Sequence, residues 1–195
     1  MTPGTSGRTI PVDSGEGIGE SSGTIEGTTD NYVIKITKTD EADAEFAKAL
    51  HDRYGDSVAA FRDFAMDISL YDSSGENKIE DPKGIAVTLT IPIPEELALY
   101  GGNNKVAAVD HSGNLEDLST RYSMIDGAPC ATFTARHFST YGFYVDTNNL
   151  TAGDLDNTPK TGDPISPKWV LSIGLAALSI FLFLKKDTVP NAAKA

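Results

Sequence analysis

Apolar and polar positions alternate through the middle of this chain with a period of two, the signature of half-buried strands. Residues 31–37 are rich in β-branched side chains, with Val33, Lys35 and Thr37 on one side and Ile34 and Ile36 on the other, and read as a strand. The period then lengthens. Phe46, Ala47 and Leu50 fall at helical spacing behind Thr39 or Asp40 as cap, acids fill the first turn, and Gly55 closes the segment. A short helical turn is expected around residues 57–61. From Arg62 the period of two returns: Phe64, Met66, Ile68 and Leu70 alternate with Ala65, Asp67, Ser69 and Tyr71 up to a turn at Asp72-Ser73-Ser74-Gly75. Ile85, Val87, Leu89, Ile91 and Ile93 form the strongest alternating run, with Pro92 and Pro94 where a strand leaves its sheet. Residues 105–110, 115–118, 120–125, 131–135 and 141–145 complete the strands, separated by turns at 111–114 and 126–127. Many short strands with closely spaced turns predict a mostly β fold, a β-sandwich with one short helix near its start.

The flanks have a different texture. Residues 1–30 are dominated by Gly, Ser and Thr without an apolar period, and read as a flexible linker. The sandwich is expected over 31–146, and a second linker over 147–163. Residues 164–186 hold an apolar run that begins at Trp169 and ends at Leu184, with only Ser172 and Ser179 polar. At about 1.5 Å per helical residue that run spans roughly 24 Å, short of a hydrocarbon core of about 30 Å. Lys185 and Lys186 can snorkel at one end and Trp169 can sit in the interface at the other, so a transmembrane helix is expected here. Residues 187–195 then form a cytoplasmic tail, and the β domain lies outside the cell.

Composition narrows the function. A formal net charge of -12 excludes the Lys/Arg stripe that a phosphate backbone needs, so nucleic acid is not a partner. The single cysteine, Cys130, cannot form an internal disulfide and reads as a small packed residue. Asp110-His111 with Glu116-Asp117 matches no metal-ligand spacing and is explained by turn chemistry; no metal or cofactor is expected. The first twenty residues lack the basic and apolar regions of a secretory leader, so we expect a carboxyl-terminal piece of a longer exported precursor, or a truncated reading frame.

Before the apolar run stands Thr158-Pro159-Lys160-Thr161-Gly162. This pentapeptide, followed by an apolar run and a basic end, resembles the Leu-Pro-x-Thr-Gly sorting signal of Gram-positive cell-wall proteins, with Thr158 in place of Leu. The resemblance covers about the last forty residues. It implies that a sortase thiolate attacks the Thr161 carbonyl, expels the Gly162 amine and passes Thr161 to an amine of a peptidoglycan precursor. Pro159 would pre-bend the exposed peptide, Gly162 would admit the enzyme to the scissile bond, and Lys160 would be the tolerated position. The protein is then a substrate and not an enzyme, its partners are the sortase, peptidoglycan and, transiently, the membrane, and its place is the cell wall.

His137-Phe138-Ser139 resembles the cleavage site of self-cleaving sandwich domains, including relatives of the ankyrin-type spectrin-binding fold. By that resemblance Ser139 would be nucleophile, His137 base and Phe138–Ser139 the scissile bond. A His-Phe-Ser-x-Tyr ending also closes many non-catalytic sandwich modules of bacterial surface proteins, which the stretches 87–94, 110–113 and 133–141 resemble. An immunoglobulin-like or ankyrin-spectrin-binding-like sandwich follows from these resemblances. The expected function is a non-enzymatic stalk or display module. The rivals are an adhesin whose sandwich binds a host or carbohydrate ligand, and a self-cleaving module.

Overall fold

The computed structural model describes residues 7–80 and 82–150. In them the chain forms two β-sheets around one shared core, with one helix of substantial length packed on an outer face. The strands are β1 (Arg8–Ile10), β2 (Val12–Ser14), β3 (Ser22–Glu26), β4 (Tyr32–Thr37), β5 (Phe61–Asp72), β6 (Ala86–Pro92), β7 (Lys105–Val109), β8 (Leu115–Asp117), β9 (Arg121–Ile125), β10 (Ala128–Ala135) and β11 (Thr140–Asp146). One sheet runs β1-β3-β6-β10-β9 and the other β2-β4-β5-β11-β7-β8. Ile25, Val87, Leu89, Ile91, Ala131 and Phe133 of the first sheet meet Ile34, Ile36, Met66, Ile68, Leu70 and Phe143 of the second. These are the inward positions of the period-two runs, as their pleat requires.

Helix α1 (Asp40–Tyr54) lies between β4 and β5. The Thr39 hydroxyl accepts from the Ala42 amide at 3.1 Å, and Asp40, Glu41 and Asp43 face the positive end of the helix dipole. Gly55 ends it at φ 58°, a left-handed value that an L side chain resists. Its apolar stripe, Ala42, Phe46, Ala49 and Leu50, covers Phe61, Ala65, Ala107, Val109 and Tyr144 on the outer face of the second sheet. Alanines at 65 and 107 and glycine at 142 let the helix approach closely. The expected turn near residues 57–61 is a 3-10 segment over Gly55–Ala60. A second short helix, α2 (Glu95–Ala98), follows Pro94, with Leu97 buried in the main core.

Residues 7–30 correct the expected amino-terminal linker: they hold three strands. Ile10, Ile18 and Ile25 are 5%, 3% and 1% exposed, and each anchors its stretch in the main core. Gly23 faces inward where a Cβ would stand 3.1 Å from Val12 and 3.2 Å from Leu89, so its lack of side chain serves packing. The second linker is corrected at its start as well. Thr147 donates to the Ala60 carbonyl, and Leu150 packs against the core, so the sandwich reaches at least to residue 150.

Register sets the two ends of the sandwich apart. Strand β2 runs parallel to β4, β4 antiparallel to β5, and β5 antiparallel to β11, so β2 and β11 point the same way. Ser14 lies beside Ile36, Ile36 opposite Ile68, and the Ile68 amide bonds the Ser139 carbonyl. Strand β11 therefore begins where β2 stops and continues to Asp146, opposite Phe61. Val12 lies beside Ile34 and Ile34 opposite Leu70, so at about 3.3 Å per residue Val12 and Asp146 are separated by roughly 30 Å along the strands.

Candidate functional site

The chain changes sheet between β10 and β11, and His137-Phe138-Ser139 makes that crossing. Strand β10 ends at Ala135, and Thr140 enters the second sheet opposite Asp67. Phe138 packs partly buried against the main core. Ser139 Oγ donates to the Val109 carbonyl at 2.9 Å and lies 3.1 Å from His137 Nδ1. A hydroxyl carries one proton, and here it goes to the carbonyl; His137 Nδ1 must therefore donate to Ser139 Oγ. A general base needs the reverse polarity. The Tyr141 hydroxyl donates to the His137 carbonyl, and the two rings stack at 5.7 Å between centroids. Glu116 Oε2 is 3.6 Å from His137 Nε2, beyond hydrogen-bond length. The tripeptide thus works as a hydrogen-bonded clip tying the crossover to β7. Beside it is a shallow depression of about 390 Å³ lined by Glu116, Leu118, Ser119, Arg136, His137 and Tyr141.

The sorting residues Thr158, Pro159, Lys160, Thr161 and Gly162 lie outside the described residues, as do Trp169, Leu184, Lys185 and Lys186 of the expected membrane segment. Among the described residues no helix is long and apolar enough to cross a membrane, and no group of three or more His, Cys, Asp or Glu could hold a metal ion. Asp110 is turn chemistry, as expected: it accepts from the amides of Ser112 and Asn114, and these bonds hold its carboxyl below the usual range. Asp72 is built the same way around Ser74 and Asn77, whose side chains likewise depress its carboxyl. Cys130 is buried on β10, and burial pushes its thiol up, away from the thiolate a nucleophile needs. Lys38 pairs with Asp43 at 3.0 Å and lies over the Phe64 ring.

Sequence reading missed a polar network under the helix. Tyr144 OH donates to Asp117 Oδ1 at 2.6 Å, Tyr54 OH lies 2.9 Å from Tyr144 OH, and Arg53 binds Asp117 Oδ2 at 2.8 Å. These groups come from α1, β8 and β11, and nothing in their local spacing announces the meeting. Asp117→Ala removes the acceptor from a buried phenol and from Arg53. We expect a loss of about 2 kcal/mol, because bonds to a charged group are worth roughly 1.5–3 kcal/mol. A loss below about 0.5 kcal/mol, read from urea unfolding, would remove the network from the stabilising contacts.

The described chain is thus a two-sheet sandwich with a helix on one outer face and a clipped crossover. No family model, no curated protein and no solved structure matches it.

Proposed function

We propose that the sandwich is a non-enzymatic spacer of a Gram-positive surface protein, held by a tail that a sortase cuts between Thr161 and Gly162. The observation that carries the spacer reading is the register that sets Val12 and Asp146 roughly 30 Å apart along the strands of the second sheet. A module whose two ends leave in opposite directions adds length between an anchor and whatever precedes it. A module with adjacent ends adds little. Strand β11, the last before the tail, is hydrogen-bonded to β5 on one side and β7 on the other. A pull on the tail therefore loads two ladders together, which suits a chain held under tension. Within the sandwich class we favour the immunoglobulin-like kind, on its strands, antiparallel in every pairing but that of β2 with β4, and on its inter-sheet core.

The sorting reading rests on Thr158-Pro159-Lys160-Thr161-Gly162 ahead of the apolar run and Lys185-Lys186. It is tested by placing the full chain behind an export signal in a sortase-bearing Gram-positive host. The wild-type chain should enter the wall-linked fraction, and Thr161→Ala should remain with the membrane. Equal distribution of the two chains rejects sorting and leaves an ordinary membrane-anchored protein.

A further inference from the structure

We infer that strand β9 is an interaction surface for a second copy of this chain, joined by antiparallel β9–β9 pairing. The four edges of the two sheets are β1, β9, β2 and β8. Three of them are only three residues long. Pro11 stands between β1 and β2, and β8 carries Glu116 and Asp117 and is gripped by Arg53. Short length, proline and charge are what keep an edge from recruiting another strand. Strand β9 lacks all but one of these devices. It has five residues in unbroken register with β10, no proline or glycine, and one charge, Arg121. Its other side has no strand. Met124 is 63% exposed and Ile125 44%, and among the described residues only Leu99 joins them as an exposed large hydrophobic.

The strand is complementary to itself. Centred on Ser123, an antiparallel copy sets Arg121 opposite Ile125 of the second copy and Tyr122 opposite Met124 of the second copy, so no like charges face each other. Asp126, next along the chain, falls within reach of Arg121 of the second copy. Neither Arg121 nor Asp126 makes an ion pair among the described residues. The twofold supplies two such pairs at no cost to existing ones. For a chain of net charge -12, whose copies repel over most of their surface, a strand with a positive residue at one end and a negative one just past the other is where two copies can meet. The antiparallel sense sends the two carboxyl ends in opposite directions, which suits chains held on facing supports.

Opposite residues in such a pair have Cα atoms about 4.5–5.5 Å apart, within disulfide range. Ser123 already faces Cys130 of its own β10, so the test uses Ser123→Cys in a Cys130→Ser background. The full chain, in detergent micelles, is oxidised mildly and its species are separated by mass. A covalent dimer is expected, with Leu99→Cys in the same background, equally free to collide, staying monomeric. Met124→Lys should cut the cross-linked yield about tenfold, a loss of about 1.4 kcal/mol. No cross-link from Ser123→Cys overturns the pairing. So does an equal cross-link from Leu99→Cys, or a dimer indifferent to Met124→Lys, since either assigns association to the micelle or the apolar run. None of these outcomes depends on whether the tail is sorted.

Discussion

Phe46→Ala is expected to cost about 3–5 kcal/mol, the range for removing a buried aromatic ring. Phe46 is 0% exposed and is the largest fully buried side chain that α1 packs against the outer face of the second sheet. Its ring meets Tyr144 edge-on at 6.3 Å between centroids and lies directly over Gly142 of β11. That second contact makes the prediction specific. A Cβ at position 142 would stand 2.6 Å from two ring carbons of Phe46, closer than carbon atoms tolerate. Gly142→Ala should therefore destabilise by about 2–3 kcal/mol through overpacking. The two changes are not independent. Phe46→Ala opens the space that the new methyl group needs, so the double variant should be more stable than the sum of the single losses by about 1–2 kcal/mol. Urea unfolding of the four chains measures the cycle. Strict additivity would mean that the ring and the glycine are not in contact.

Stability should fall in alkali well before the backbone is harmed, because three tyrosines are set to resist ionisation. Burial pushes the Tyr122 phenol up to about 12. Burial also raises Tyr141, aided by the Glu116 charge, and Tyr144, aided by its hydrogen bond to Asp117. In the unfolded chain each phenol loses its proton near pH 10. Above that, the folded state holds protons that the unfolded state has released, so rising pH favours unfolding. The contribution is complete below about pH 10 and is lost progressively as pH climbs toward the folded values. The urea midpoint should hold steady up to about pH 9 and then decline, with phenolate absorbance appearing together with unfolding. Tyr141→Phe should lose about 1 kcal/mol near neutrality, the bond to the His137 carbonyl, and decline less steeply above pH 10. A midpoint unchanged to about pH 11 would show that these phenols ionise in place.

How much of this was legible varies by segment. Residues 31–37, 62–71 and 85–93 pair strong alternation with β-branched or aromatic side chains, and β4, β5 and β6 form within a residue of those bounds. The capped helix was equally plain, because Thr39, the acids after it and Gly55 act within one turn of the backbone they organise. Strands β1, β2 and β3 were not legible. Each is three to five residues long with one or two apolar positions, and Gly23 looks like a breaker. They are strands because β4 and β6 offer unfilled hydrogen-bonding edges and an apolar floor. Helix α2 hid in the same way, behind two prolines and an apparent loop.

The candidate site divides along the same line. His137-Phe138-Ser139 could be picked out from the chain as a cluster of reactive residue types, and the sorting pentapeptide from its order before an apolar run. The direction of a proton could not. Only the approach of the Val109 carbonyl, thirty residues earlier in the chain, gives Ser139 an acceptor and turns His137 into its donor. The meeting of Arg53, Asp117 and Tyr144 likewise depends on a helix, an edge strand and a central strand arriving at one place.

By itself the sequence determined the class of the fold, the capped helix, the inward set of Ile, Leu, Val and Phe, and the turns built on Asp72 and Asp110, because each follows from periodicity or from bonds spanning a few residues. Tertiary structure alone decided that the first thirty residues contribute strands, that α1 rests on Gly142, that Ser139 is a clip, and that β9 is the open edge. Those outcomes depend on which distant segments come together, and backbone bonds and close packing are satisfied between segments, not within them.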